Sequence, residues 1–156
     1  MSQPSDTDPT AIMDRALALA AAAADAGEVP VGAVLVDGRD GRVLAEAHNR
    51  VEADADPSAH AELLAIRAAA AAAGDPRLPY ADLHVTLEPC AMCAQAIAFA
   101  RLRRLVFGAY DPKGGGVEHG ARVFDRTTCH HRPEIVGGVR ERDCGDLLTR
   151  FFTARR

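Results

Sequence analysis

Apolar residues recur along this chain in two periods, and glycine and proline mark where one gives way to the other. Asp8 followed by Pro9 reads as an N-cap with proline at the first helical position, opening an Ala/Leu-rich helix that stops at Gly27. "VPVGAVLV" (29–36) is a β-branched apolar run, "DGRDG" (37–41) carries turn chemistry, and "RVLAEAHN" (42–49) alternates with period two, so the three predict a hairpin. Asp56–Pro57 repeats the cap-plus-proline signal ahead of "SAHAELLAIRAAAAAAG", a helix ending at Gly74. "DLHVTL" (82–87) predicts a third strand, and Pro89 opens a helix through Cys90, Cys93 and Ile97 to about Arg101. "RLVFGA" (104–109) predicts a fourth strand and "PEIVGGV" (133–139) a short fifth. Between them, residues 111–132 hold three consecutive glycines and much polar sequence, and read as a long structured loop or short helical segment. The last segment predicts a helix with Leu147, Leu148, Phe151 and Phe152 on one face and Gly145 weakening its first turn. Strands alternating with helices after an initial hairpin predict a three-layer α/β/α sandwich around one mixed five-stranded sheet.

Composition narrows the function classes. At 156 residues the chain has the length of one domain. Residues 1–7 are expected to be a disordered N-terminal tail and residues 8–156 one domain. No run of about 18 apolar residues appears, and the Ala16–Ala24 stretch is too short to span a bilayer. "MSQPSDTDPT" lacks the basic region of a secretory signal. The expected location is therefore the cytoplasm, away from membranes, where thiols stay reduced. A net charge of −4 excludes a generic nucleic-acid coater. Arginine does cluster at Arg101, Arg103 and Arg104 and again at Arg150, Arg155 and Arg156, either as solvated surface or as a local phosphate-binding rim.

The chemistry concentrates in two short stretches. "LEPCAMCAQ" places Cys90 and Cys93 three apart at a helix start, so both sulfurs fall on one face, where the helix dipole favours thiolate. Alone, such a pair fits a disulfide, a redox couple, half of a structural zinc site or part of a catalytic one, and the expected compartment counts against the disulfide. "SAHAELLAIR" adds His60 and Glu62 at the start of another helix. Three ligands, His60, Cys90 and Cys93, leave a fourth zinc position for water, as catalytic sites do. Glu62 could equally be a first-turn acid facing the helix dipole, and two positions apart on a helix do not share a face. Cys129, His130 and His131 raise the alternative of a second metal site or a ligand closing the first. Cys144 reads as a small buried hydrophobe, and His48, His84 and His119 as structural or surface residues.

The His-x-Glu … Pro-Cys-x-x-Cys pattern is an established mark of zinc-dependent base deaminases. On it the chain resembles the bacterial tRNA-specific adenosine deaminases, members of the cytidine-deaminase-like zinc superfamily. The resemblance runs from about residue 11 to the C-terminus through "EVPVGAVLV", "DPSAHAELLAIR", "LHVTLEPCAMCA", "RLVFGAYDPKGG" and "LLTRFFTARR". It implies one Zn2+ per chain on His60, Cys90 and Cys93, with Glu62 as the catalytic proton shuttle. Asn49 is then the residue that hydrogen-bonds the flipped base, Asp111 the one beside the ribose of the flanking nucleotide, and Phe152 an aromatic that helps enclose the RNA unless it is ordinary core. At His130 this chain departs from the pattern, since some relatives place an RNA-contacting Asn there. The implied reaction is hydrolysis of adenosine to inosine and ammonia at the wobble position of a tRNA anticodon stem-loop, where the base is unpaired and inexpensive to extrude. The implied assembly is a homodimer, with Ala68, Ala94, Ala98 and Ala100 expected to permit close helix approach. Two rivals remain: a free nucleobase or nucleoside deaminase (guanine or cytosine) using the same zinc site, and a non-catalytic zinc-stabilised RNA-binding module, which would have no use for Glu62.

Overall fold

The computed structural model describes residues 8–155, so the expected tail at residues 1–7 and Arg156 lie outside the described residues. The elements in chain order are α1 (Pro9–Asp25), β1 (Gly32–Asp37), β2 (Val43–His48), α2 (Ala61–Ala73), β3 (Ala81–Leu87), α3 (Ala91–Phe99), β4 (Arg104–Ala109), a single 3-10 turn (Val123–Asp125), β5 (Glu134–Val136) and α4 (Glu141–Thr153). The strands form one sheet in the order β2-β1-β3-β4-β5. β1 is antiparallel to both β2 and β3, whereas β3, β4 and β5 run parallel, so the sheet is mixed as the alternation of elements predicts. β3 is central and buried on both faces, although its sequence alternates: Asp82, His84 and Thr86 are buried along with Leu83 and Val85.

Two cores flank this sheet. On one side α1 and α4 cover Val34, Val36 and Val106; on the other α2 and α3 cover Leu35, Leu83, Val85, Leu105 and Phe107. The helices meet the sheet largely through alanine: Ala16, Ala20 and Ala23 of α1, Ala61, Ala65 and Ala69 of α2, and Ala94 and Ala98 of α3 are buried. Small residues let the layers close tightly. A Cβ on Gly32 of β1 would lie 2.1 Å from the Ala16 carbonyl oxygen, and one on Gly108 of β4 would lie 2.4 Å from the Cys144 sulfur. Cys144 is thus packing, and burial pushes its thiol up to about 11. His84 of β3 is also buried; burial lowers its imidazole to about 4, and its Nδ1 has no hydrogen-bond partner among the described residues.

Three boundaries differ from the sequence pattern for identifiable reasons. Asp56 and Pro57 do not open α2, because the Asp56 carboxylate accepts from both the backbone N–H and the hydroxyl of Ser58 and closes a turn of its own. The helix begins four residues later, at Ala61, whose N–H donates to Asn49 Oδ1 at 2.8 Å. Pro89 likewise precedes α3 rather than occupying its first turn, since Cys90 is the N-cap with extended dihedrals. β5 ends at Val136 because Gly138 turns the chain with a φ of +85°.

Two glycines should respond oppositely to alanine. Gly32→Ala drives a methyl into the α1 backbone and should cost about 1–3 kcal/mol, lowering Tm by roughly 3–10 °C. Gly145 lies inside α4 with open space around it, so Gly145→Ala should add about 0.5–1 kcal/mol and raise Tm by a few degrees. Scanning calorimetry checks both: an unchanged or raised Tm in Gly32→Ala would contradict the close α1–sheet contact, and a lowered Tm in Gly145→Ala would contradict the open space at that helix position.

Candidate active site

His60 and Cys90 occupy equivalent places in the fold, each the N-cap of a helix packed on the same face of the sheet. Neither side chain caps its own helix. Both residues are extended, His60 at φ −77° and ψ 147° and Cys90 at φ −70° and ψ 173°, which turns them out of the helical spiral. This removes the spacing difficulty between His60 and Glu62, because only Glu62 is helical. Cys93 sits one turn inside α3 and is fully buried.

The three side chains converge. His60 Nδ1 lies 3.6 Å from Cys90 Sγ and 3.6 Å from Cys93 Sγ, and all three ligand atoms are within 4.8 Å of one another. Tetrahedral zinc with Zn–S of about 2.3 Å and Zn–N of about 2.0–2.1 Å requires an N···S edge of about 3.6 Å. The donors present therefore fit Zn2+ in both geometry and softness. Their protonation agrees. Hydrogen bonds from Cys93 and then from His60 pull the Cys90 thiol down to about 4, despite burial. Sharing with Cys90 pushes the Cys93 thiol up, and the bond to Cys90 raises His60. Protons are thus crowded onto one point at which a dication can replace them.

Glu62, buried to 4% exposure, stands beside this triad. Burial pushes its carboxyl up, to about 7, with the Cys90 charge acting in the same direction. His60, Cys90 and Glu62 line a cavity of about 550 Å³, within the usual size range of small-molecule sites, with Cys93 buried behind them. Asn49 enters from the end of β2. Its Oδ1 is taken by Ala61 N–H, which leaves the amide NH2 as its donor end. Asp111 enters from the loop after β4, with its Oδ1 accepting from Lys113 N and Gly114 N. Phe152 does not line the cavity. Its ring is 49% exposed on α4, while the neighbouring Phe151 lines the wall with the Arg155 guanidinium 3.5 Å over its ring.

Other sequence features resolve differently. Arg103 pairs with Asp82 through two hydrogen bonds and Arg104 with Glu134, both at the start of β4, whereas the cavity lies beyond its C-terminal end. Of the basic clusters only Arg155 reaches the cavity among the described residues. Cys129 donates to the His131 carbonyl, and His131 Nε2 lies 2.7 Å from the Leu102 carbonyl, so no second metal group forms there among the described residues. Ala94, Ala98 and Ala100 are buried within the subunit, and the exposed stripe of α3 carries Met92 and Phe99 instead. Sequence reasoning missed Glu28 and Glu88, two buried carboxylates lining the cavity. Glu28 accepts from the N–H groups of Glu52 and Ala53, both at 2.9 Å, and fixes the turn on the Asn49 side.

Comparison with known proteins agrees with this geometry. The family model of the cytidine and deoxycytidylate deaminase zinc-binding region matches residues 6–109. A protein of Agrobacterium fabrum called tRNA-specific adenosine deaminase is 52% identical over 147 residues, covering 94% of this chain and 95% of the relative. A solved structure from work on A-to-I editing by tRNA:A34 deaminases at the wobble position of transfer RNA is 54% identical with a TM-score of 0.84, covering 87% of this chain and 97% of that one. A guanine deaminase of Nitrosomonas europaea has a TM-score of 0.79 over 93% of this chain and 85% of its own at 23% identity, a likeness of fold alone.

Purified protein should carry about one zinc per chain on the three-ligand site, measured by plasma emission spectrometry. His60→Ala or Cys90→Ala should lower occupancy sharply. Full zinc content in Cys90→Ala/Cys93→Ala would remove the assignment.

Proposed function

The chain belongs to the cytidine and deoxycytidylate deaminase zinc-binding family, and on that premise we propose that it hydrolyses adenosine to inosine at the wobble position, A34, of a tRNA anticodon loop. One observation carries the reading. The His60–Cys90–Cys93 triad opens, beside a buried Glu62, into a cavity flanked by the amide of Asn49 and the carboxylate of Asp111. A structural zinc site would close its fourth position and would have no use for a buried acid there.

Bound zinc supplies the Lewis acidity that lets water act as a nucleophile at neutral pH. Glu62 accepts one water proton and delivers it to the adenine ring nitrogen as C6 is attacked, then takes the second proton from the new C6 hydroxyl and passes it to the departing amine, so water and adenosine become inosine and ammonia. The Asn49 NH2 group donates to the flipped base, held in place because its oxygen is already engaged by α2. Asp111 keeps Oδ2 as an acceptor for the 2′-hydroxyl of the neighbouring ribose, while its Oδ1 holds the loop turn. Phe152 offers its exposed ring to the RNA on the last turn of α4, beside the cavity-lining Phe151.

The same reading includes a homodimer. α3 presents Met92 at 40% and Phe99 at 73% exposure on one outer stripe, seven residues apart and hence on one face, while its inner face is buried. A second copy covering this stripe removes an apolar surface next to the site. The four described cysteines are free, and no described helix is long and apolar enough to cross a membrane. These features, with a tRNA substrate, support a cytoplasmic enzyme.

The test is inosine formation on an RNA hairpin carrying A at the wobble position, run beside the matching DNA hairpin and free adenosine, adenine, guanine and cytosine. The RNA hairpin should be the preferred substrate, and Asp111→Asn should narrow the gap between RNA and DNA. Glu62→Gln should retain zinc and fold while turnover falls by about 10²–10⁴-fold. Turnover of a free base with none on RNA would leave a free-base deaminase in place of this reading. For the dimer, light scattering at micromolar concentration should give twice the chain mass and Phe99→Asp should halve it. A single-chain mass for the unmodified protein would contradict the α3 interface.

A further inference from the structure

The end of β3 carries a buried carboxylate with no part in the chemistry described so far. Glu88 lies between Leu87 and the Pro89–Cys90 step, and its side chain has no solvent exposure. A carboxylate so placed is costly unless fully hydrogen-bonded. Its donors come from one loop. Oε1 accepts from Asp111 N at 3.1 Å and sits 2.8 Å from His119 Nδ1. Oε2 accepts from Val117 N at 3.2 Å, Glu118 N at 3.0 Å and His119 N at 3.1 Å. Three successive backbone N–H groups converging on one oxygen form an anion-binding nest, filled here by the chain's own side chain.

Glycine permits the approach. A Cβ on Gly115 would lie 2.3 Å from Glu88 Oε2, and one on Gly116 would lie 2.5 Å from Ala91 N at the start of α3. Gly116 N also donates to the Pro89 carbonyl at 2.8 Å. The loop is thereby attached to the turn that leads into Cys90, while its first residue, Asp111, and Gly114 line the cavity.

We propose that Glu88 is the positioning residue for substrate recognition: by folding residues 111–119 around its carboxylate it sets Asp111 over the cavity at a fixed distance from the ligand-bearing turn. Glu88 itself contacts neither substrate nor metal. The kinetic part of this inference rests on the RNA deaminase reading; the structural part does not.

Glu88→Gln keeps the side chain's size but leaves one acceptor oxygen where two are used, so its NH2 group must face either the Asp111 N–H or the N–H groups of residues 117–119 and loosens the loop there. The variant should keep about one zinc per chain, with β3 and β4 amides still protected. Amide exchange at Asp111, Val117, Glu118 and His119, followed by NMR, should accelerate by about tenfold or more. On the RNA hairpin KM should rise about tenfold or more with kcat within about threefold, the split expected when binding geometry rather than chemistry is lost. Gly115→Ala leaves the carboxylate intact and pushes the loop away from it, so it should reproduce that split. The double variant should be no worse than the more damaging single, because both break one contact. Unchanged exchange at the four amides in Glu88→Gln, or a fall in kcat with KM unchanged, overturns the proposal. If the unmodified protein leaves the RNA hairpin untouched, the deaminase reading fails, and the exchange and zinc measurements still decide the role of Glu88.

Discussion

The distance between two helix N-termini governs this molecule. α2 and α3 lie on the same face of the sheet and begin where their first turns can nearly touch. The residues at those two starts, His60 and Cys90, turn their side chains toward each other rather than back onto their own helices. Each helix forgoes a cap that is ordinarily worth about 1 kcal/mol. α2 recovers part of it from Asn49, whose oxygen takes the Ala61 N–H. The residue that repairs the helix end is therefore also one whose free amide faces the cavity. Local stability and ligand placement pull in opposite directions at these two positions, and the sheet decides the outcome.

The flanks of the cavity are irregular chain, yet each is pinned by a buried acid. Glu28 holds the turn at Glu52 and Ala53, and Glu88 holds the loop from Asp111 to His119. Backbone N–H groups surround both charges. This matters for a protein of net charge −4 that meets a polyanion. Acids at the cavity wall would repel phosphate if they were left to face it, whereas acids enclosed by N–H dipoles organise the wall with little outward field.

The layered fold and the three ligands were legible in the sequence because both are local. Period-two runs, capping residues and the spacings of His60, Glu62, Cys90 and Cys93 need no knowledge of tertiary contacts. Side-chain destinations were not legible. Asp56 carries a helix-start signal, but its carboxylate bonds Ser58 and builds a turn instead. Glu88 at a strand end carries no local mark of its burial, and only the three glycines of the following loop hint that something must come close. Arg103 and Arg104 fit a solvated surface or a phosphate rim equally until Asp82 and Glu134 are found paired with them on neighbouring strands. Of the alanines that suggested an interface, Ala68 of α2 is exposed but Ala94, Ala98 and Ala100 are interior, since α3 is apolar on both of its faces and its pattern alone does not say which face is inward.

The alanine faces of α1, α2 and α3, with Gly32 and Gly108 beneath the helices, have a consequence for how this protein tolerates change. Where large side chains fill an interior, damage comes mainly from truncation and the voids it leaves. Here much of the boundary between helix and sheet has nothing left to truncate, and its separation is already that of backbone against a methyl group or a bare glycine. Harm at that boundary comes from added volume. Even one extra methylene between the layers forces a helix off the sheet, and on the face that carries α2 and α3 the displaced helix is one that bears a ligand, so there the route from a silent-looking interior substitution to a disordered metal site is short.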